Sequence, residues 1–266
     1  MITDPWFYAV AIPAVLIVGL AKGGFGGALA MLGVPVMSLA ISPVLAAGIL
    51  LPILVLMDLT AVAAYRGIYH WPSLKVLLPG AAAGVLVGWL TAAYVSETHV
   101  RLIIGLIAIA FVMNAWFQGA ITPRPAGAER ASTNAGGASS TDRAGGAFWG
   151  SVAGFTSFVS HAGGPPFQVH MLPKGLAPRL LAGTSVIFFF VTNQMKLIPY
   201  WALGQFSAEN LTTSAVLFPV ALLAVGIGVW LVKVVRPETF YRVIYLVLFI
   251  VGIRLVWTSL SALATA

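Results

Sequence analysis

The sequence predicts an all-α polytopic membrane protein with two inverted-topology repeats, each containing a glycine-broken helical hairpin and three transmembrane helices. Three observations predict this class. Of the 266 residues, 60% are hydrophobic and only 8% are charged, whereas a soluble domain carries roughly 25% charged residues. Long apolar stretches recur along nearly the whole chain, and none alternates polar and apolar residues as a barrel strand does. The two halves also match each other residue by residue.

Each half contains five apolar segments, which we label A to E. In the first half they are A 7–20, B 28–41, C 43–65, D 73–95 and E 98–117. In the second half they are A 148–159, B 166–172, C 178–201, D 208–235 and E 239–263. The stretch between them is rich in small and polar residues and poor in large apolar ones, which is typical of a flexible linker. The predicted organisation is a first repeat (1–118), a linker (119–146) and a second repeat (147–266).

The internal repeat is indicated by an ordered series of matching residues. The pairs separated by 135 positions are Pro43/Pro178, Ala47/Ala182, Gly48/Gly183, Asp58/Asn193 and Tyr65/Tyr200. The pairs separated by 140 or 141 positions are Pro79/Pro219, Gly88/Gly228, Glu97/Glu238, Thr98/Thr239 and Arg101/Arg242. Shared composition produces one or two such matches, whereas a series with a slowly drifting offset indicates duplication.

The charged loops predict that the two copies lie in opposite orientations. The first C–D loop carries Arg66 and Lys75, whereas the second C–D loop holds only Glu209. The second D–E loop carries Lys233, Arg236 and Arg242 against Glu238. Because cytoplasmic loops collect lysine and arginine, the first C–D loop and the linker are predicted to be cytoplasmic. Both termini are then periplasmic, in the inner membrane of a bacterium, and such inverted repeats recur in secondary transporters.

Segments A and B are predicted to form a re-entrant hairpin. Each has about 14 apolar residues or fewer, hence roughly 21 Å of helix or less, against a hydrocarbon core of about 30 Å. In this hairpin A descends to the midplane, the chain turns at glycines, and B returns to the same side. Two full crossings would preserve the topology and remain an alternative.

Glycine-rich turns separate A from B in both halves. They are Lys22-Gly23-Gly24-Phe25-Gly26-Gly27 and Ser160-His161-Ala162-Gly163-Gly164-Pro165-Pro166. Glycine permits positive φ and close approach of a ligand to the backbone. The N-termini of both B helices would meet near the midplane, where unpaired N–H groups and the helix dipoles attract an anion. The alternative is that the glycines only allow close helix packing.

The candidate substrate-binding residues surround these turns. They are Lys22, Gly23, Gly24, Gly26, Gly27, Ser160, His161, Gly163, Gly164, Pro165, Gln168, Asn193 and Gln194. Asp58 and His161 are the candidates for carrying a coupling proton, because ionisable residues within the membrane commonly serve transport. Pairing of Asp58 with a nearby donor and a structural role for His161 remain alternatives. Lys196 lies near the outer end of its helix and is expected to snorkel to the interface.

Several of these residues lie in longer motifs. The motifs are GLAKGGFGG at 19–27, FVSHAGGPP at 158–166 and GTSVIFFF at 183–190, followed by Asn193, Lys196 and Pro199-Tyr200. Through them, both halves of the chain resemble the TauE/SafE family of membrane transporters, named for sulfite and organosulfonate export. The resemblance implies a transporter of sulfur-containing anions. The linker is longer than the connection expected in that family.

Together, the residues and the resemblance predict a secondary transporter for a small anion, a sulfur-containing oxyanion or an organosulfonate. The anion is expected to bind between the two glycine turns and to move by alternating access, with a proton or sodium ion as the coupling ion. A homodimer is left open. A passive anion channel is the main alternative, since midplane half-helices also build pores.

An intramembrane enzyme is the weaker alternative. The sequence contains no His-Glu-x-x-His, no Gly-x-Ser-x-Gly and no pair of intramembrane aspartates. Cysteine is absent, which removes thiolate metal sites and thiol catalysis. No cluster of five or more basic residues occurs, so the net charge of +7 does not indicate nucleic-acid binding. No cofactor or metal is expected.

Overall fold

The computed structural model describes residues 1–23, 29–92, 94, 97–117 and 140–264. In these ranges the chain forms α-helices and short 3₁₀ turns without any strand, which confirms the predicted all-helical class. The helices are α1 (Pro5–Gly23), α2 (Gly33–Met37), α3 (Pro43–Ala64), α4 (Trp71–Leu90), α5 (Glu97–Phe117), α6 (Ser140–Ser160), α7 (Gly164–Met171), α8 (Pro178–Ala202), α9 (Ala208–Val234) and α10 (Pro237–Ala264). The 3₁₀ turns Leu29–Leu32 and Leu172–Lys174 adjoin α2 and α7.

Among the described residues, five helices are long and apolar enough to cross a membrane by length and composition. They are α1, α3, α4, α8 and α9. An apolar helix of about 20 residues is the element that a bilayer requires, because it satisfies its own backbone hydrogen bonds. The protein is therefore a membrane protein, as its composition predicts.

The C and D segments begin close to where the sequence predicts, because local signals define their starts. The Ser42 hydroxyl accepts a hydrogen bond from the backbone N–H of Leu45, and Pro43 occupies the first turn of α3. Ser207 caps α9 in the same way through the N–H of Asn210. Serine caps and first-turn prolines are strong helix-start signals that act over a few residues.

The predicted lengths of the two A segments were wrong. Helix α1 has 19 residues and α6 has 21, so α1 is about 28 Å long. The sequence estimate ended each segment at its polar residues, but Lys22 continues α1 because its charge is buried and paired. Helix α6 begins at Ser140, so residues 140–146 of the predicted linker belong to it. The rest of that linker, 119–139, lies outside the described residues.

The helices of the two B segments, α2 and α7, are much shorter than those of the two A segments. Helix α7 has eight residues, about 12 Å, and α2 has five. Even with the adjoining 3₁₀ turns, neither helix reaches across a hydrocarbon core of about 30 Å. Two full helical crossings in each half therefore do not fit the helices described for residues 29–37 and 164–174.

Helices α1, α3 and α8 form the centre of the molecule. Within their apolar windows, 61% of the residues of α3 and of α8 are buried, against 44% for α4 and 39% for α9. The helices of one half pack mainly on those of the other. The packed pairs are α1 with α9, α4 with α6, α3 with α9, α4 with α8 and α5 with α10.

Glycines on both helices hold α4 and α6 in close contact. A β-carbon added at Gly80 or Gly84 would collide with the backbone of α6, and one added at Gly150 or Gly154 would collide with the backbone of α4. Both pairs have the Gly-x-x-x-Gly spacing, which lets two membrane helices approach closely. Here glycine serves packing, because any side chain would separate the two helices.

Gly84→Val is expected to destabilise the protein by about 1–3 kcal/mol through overpacking, because its first side-chain atom would meet the carbonyl oxygen of Ser151. The matched control is Gly226→Val on α9, where an added β-carbon meets nothing within 4 Å. Both variants place valine in an apolar helix, so their difference isolates the α4–α6 contact. Thermal unfolding in detergent measures it, and equal midpoints would contradict the close approach.

Candidate functional site

Five polar side chains are buried together where α1, α3, α8 and the turn between α6 and α7 meet. They are Lys22, Asp58, His161, Asn193 and Lys196, and we call them the central cluster. None is more than 7% exposed, and Asp58 and Lys196 are both 0% exposed. A charge held away from water is costly unless it is paired and hydrogen-bonded, so the partners of each group indicate its role.

Asp58 is bound on both of its oxygens. The Lys22 ammonium lies 2.6 Å from Oδ1, and the Asn193 amide nitrogen donates to Oδ2 at 2.6 Å. Lys22 Nζ also lies 5.2 Å from the centre of the Phe189 ring, a geometry that favours a cation. Asp58 therefore links α1 to α8, and its pairing with nearby donors is the arrangement that the sequence left open as an alternative.

Lys196 contacts a different set of groups. Its Nζ lies 3.1 Å from both the carbonyl and the hydroxyl oxygen of Ser157, and 2.8 Å from His161 Nδ1. The other ring nitrogen, Nε2, lies 3.1 Å from the carbonyl oxygen of Ala47. A carbonyl only accepts, so Nε2 donates, and Nδ1 of the neutral ring then accepts from the Lys196 ammonium. The three acceptors around Lys196 Nζ match the three donors of an ammonium, so we assign one positive charge to Lys196 and none to His161.

His161 has an unusual backbone conformation. Its φ is +53°, and it is the one non-glycine residue with positive φ among those described. Glycine permits positive φ, but Gly163 in the same turn does not use it, because its φ is −71°. The left-handed conformation costs about 1–2 kcal/mol for most residues. The contacts of the ring with Lys196 and Ala47 hold it in place, and such strain is common at functional sites.

The N-terminus of α7 offers fewer hydrogen-bond donors than the sequence argument assumed. Pro165 and Pro166 have no N–H, and the N–H of Phe167 donates to the Gly163 carbonyl at 3.2 Å. Of the first four residues of α7, only Gly164 keeps an N–H that could face a ligand. Helix α2 is only five residues long. The positive potential of the site therefore comes mainly from the two lysine side chains.

A small cavity lies against the central cluster. Its lining residues are Lys22, Ala30, Leu54, Ser157, His161, Gly164, Phe189, Asn193 and Lys196. It leaves about 20 Å³ for the centres of water-sized spheres, which is room for one or two water molecules. Among the described residues, this lining contains two lysines and no carboxylate. The chemistry of the cavity therefore suits a small anion that accepts several hydrogen bonds.

The structure brings four of the predicted site residues to this cavity and places the others elsewhere. Lys22, His161, Gly164 and Asn193 line it. Ser160, Gly163, Pro165 and Gln168 are buried close by without lining it, and Gln194 is partly exposed on α8. Gly24, Gly26 and Gly27 lie outside the described residues.

Gly23 and Gly163 occupy tightly packed positions. A β-carbon at Gly23 would lie 2.5 Å from the carbonyl oxygen of Val225 on α9. One at Gly163 would lie 2.7 Å from the carbonyl oxygen of Ala153. Both glycines therefore serve the packing role that the sequence analysis held as its alternative.

Sequence reasoning missed Lys196 and Ser157. The expectation that Lys196 snorkels was wrong, because its side chain turns inward to Ser157 and His161. Its position contained a usable signal: Lys196 follows Asn193 by three residues, which places both on one helix face. Ser157 also had a signal, because the repeat offset of 135 leads from Lys22 to it.

Comparison with known proteins gave one match. The family model described as sulfite exporter TauE/SafE matches residues 11–255. A search of curated proteins and a search of solved structures found no match. The matched stretch contains the motifs at 19–27 and 158–166 and all five residues of the central cluster. The chain therefore belongs to the sulfite exporter TauE/SafE family.

Proposed function

We propose that this protein is a secondary transporter that binds a small sulfur-containing anion at the central cluster. One observation supports this most directly: two buried lysines line a cavity, and none of the described residues that line it is a carboxylate. Asp58 balances the charge of Lys22, and within the described ranges Lys196 makes no ion pair. Since a buried unpaired charge is costly, an anion in the cavity would remove that cost. Membership of the sulfite exporter TauE/SafE family is the reason for proposing that the anion contains sulfur.

Inverted repeats are part of this proposal, and paired hydrogen bonds support them. The Tyr65 hydroxyl donates to the carbonyl of Gly23, and the Tyr200 hydroxyl donates to the carbonyl of Phe158, both at 2.8 Å. The two donor residues are 135 positions apart, and so are the two acceptor residues, which is the repeat offset. The two bonds are therefore equivalent under the proposed duplication.

The contact between Asp58 and Asn193 indicates that a two-fold axis relates the two repeats. These residues are equivalent in the repeat, 135 positions apart, and they touch each other. Self-contact of equivalent positions, together with reciprocal packing of α1 on α9 and of α6 on α4, is what two-fold symmetry produces. A two-fold axis in the membrane plane relates inverted repeats, and transporters of this design hold substrate at the repeat interface.

Each residue of the central cluster has a proposed role in this mechanism. Lys22 and Lys196 hold the charge of the anion from two helices, while Asn193 and the N–H of Gly164 donate hydrogen bonds. Alternating access would expose the cluster to each side in turn by rocking one repeat against the other. Asp58 and His161 remain the candidates for a coupling proton, and a proton on Asp58 would release Lys22 to the anion.

Uptake by the purified protein in liposomes tests the function. The screen covers sulfite, sulfate, thiosulfate, methanesulfonate and small carboxylates, each with and without a pH or sodium gradient. We expect at least one sulfur-containing anion to accumulate above its equilibrium level when the correct gradient is imposed. Flux without accumulation would indicate a channel. Absence of flux for every sulfur-containing anion would contradict the proposal.

The proposed topology has its own test. Tags at Met1 and Ala266 are expected to report the periplasm, and a tag within residues 126–139 is expected to report the cytoplasm. Opposed basic loops in the two halves are the physical reason. Accessibility of tag cysteines in intact cells measures the sidedness, and the native chain has no cysteine that would interfere. Either terminus on the same side as the linker would contradict inverted repeats.

A further inference from the structure

The charges of the central cluster do not cancel. The Lys22 ammonium pairs with the Asp58 carboxylate. We assign Lys196 as a second ammonium, because three acceptor atoms surround its Nζ, and we assign the His161 ring that accepts from it as neutral. The sum of these charges is one positive charge, enclosed by residues that are at most 7% exposed. Any ion that binds in the cavity is therefore added to a fixed net charge.

The surroundings of Asp58 supply no further charge among the described residues. Helix α1 contributes Lys22, α8 contributes Lys196 beside Asn193, and the α6–α7 turn contributes His161. Helix α9, which also packs on α3, carries its ionisable side chains near its two ends, at Glu209 and Lys233. Helix α2 contains no ionisable residue.

We infer that the cavity binds one net negative charge at a time: a monoanion alone, or a dianion only together with one proton. This inference rests on the proposed function and names the charge class of its substrate. A bound monoanion makes the buried site neutral. A bound dianion leaves one negative charge uncompensated, and a buried unpaired charge is strongly unfavourable.

The accompanying proton has a defined place. It comes from the solvent that delivers the dianion and bonds to a carboxylate oxygen of Asp58, which then no longer offsets Lys22. The Lys22 ammonium already borders the cavity, so it can turn from Oδ1 to the anion without movement of α1. The site then holds two positive charges against the two negative charges of the ligand.

Methanesulfonate and sulfate are a matched pair for testing this charge rule. Both are tetrahedral at sulfur, and a methyl group of the first replaces one oxygen of the second. Near neutral pH the first is a monoanion and the second a dianion. The inhibition constant of each anion is measured against counterflow of labelled sulfite. The pH is the same on both sides of the membrane and is varied from about pH 6 to about pH 8, the range around the ordinary histidine pKa.

We expect methanesulfonate to bind more tightly than sulfate at the upper end of this range. Relative to methanesulfonate, sulfate should weaken by up to about tenfold for each unit of rising pH, the linkage expected when one proton binds with it. The ratio of the two constants cancels the protonation of the sulfite tracer. Thermal stabilisation of the purified protein by each anion, at matched ionic strength, gives the same ratio without a tracer.

Asp58→Asn should remove the pH dependence of the ratio and shift the preference towards sulfate, because the site then carries two positive charges permanently. In the wild type, a pH-independent ratio or equal binding of both anions would overturn the charge rule while leaving anion transport intact. If no sulfur-containing anion of the uptake screen is transported and neither test anion stabilises the protein, the proposed function itself fails, and the charge rule fails with it.

Discussion

Replacing Asp58 with alanine is expected to destabilise the protein by about 3–5 kcal/mol, the usual cost of removing one partner of a buried ion pair. The side chains of Lys22 and Asp58 are 5% and 0% exposed, so the Lys22 ammonium would lose its charged partner in a buried position. Asn193 would lose its acceptor as well. Thermal or denaturant unfolding in detergent measures the loss as a lower midpoint.

A double variant separates the cost of the unpaired charge from the cost of altered packing. Lys22→Met with Asp58→Leu removes both charges and keeps similar apolar volume, so it should recover most of the stability lost in Asp58→Ala. We expect the two sites to couple strongly in a double-mutant cycle. A double variant as unstable as Asp58→Ala would show that the carboxylate acts through contacts other than the ion pair.

Lys196→Gln is expected to weaken the binding of the transported anion by roughly ten- to a hundredfold. A hydrogen bond to a charged group contributes about 1.5–3 kcal/mol, and about 1.4 kcal/mol corresponds to a factor of ten in affinity. Glutamine still offers an N–H₂ group to Ser157 and His161, so the local structure should persist. The concentration of sulfite that gives half-maximal uptake in liposomes measures the effect.

Lys75→Gln is the matched control for that measurement. Lys75 lies on the exposed side of α4, with its Nζ 5.8 Å from the centre of the Trp71 ring. The same substitution there removes one positive charge from the protein without touching the central cluster, so uptake should stay at the wild-type level. Equal half-maximal concentrations in Lys196→Gln and Lys75→Gln would assign Lys196 a structural role only.

Membrane class and most helix boundaries could be predicted because they depend on composition and on signals a few residues long. Because charged residues are scarce along the chain, the composition excludes a soluble domain over any long stretch of it. The start of α3 follows from Ser42 and Pro43, and the start of α8 from Pro178, because a cap or a first-turn proline acts within one helical turn. The motifs around Lys22 and His161 likewise indicated the family that the comparison then confirmed.

The glycine pattern was ambiguous for a physical reason. A glycine suits a turn with positive φ, a ligand approaching the backbone and a second helix in close contact, and the sequence looks the same in each case. Only the neighbouring atoms distinguish them. They place Gly23 against α9 and Gly163 against α6, while positive φ falls on His161.

The partners within the central cluster depended on the tertiary structure alone. Lys22 and Asp58 are 36 positions apart, and Asp58 and Asn193 are 135 apart, so no local rule relates their side chains. Lys196 lies near the outer end of its helix in the sequence, and its side chain was therefore expected to reach the membrane–water interface. Packing of α8 against α3 and the α6–α7 turn instead closes its route to solvent and directs its ammonium to His161. The sequence shows which charged groups will need partners when they are buried, but helix packing determines which partners lie within hydrogen-bonding distance.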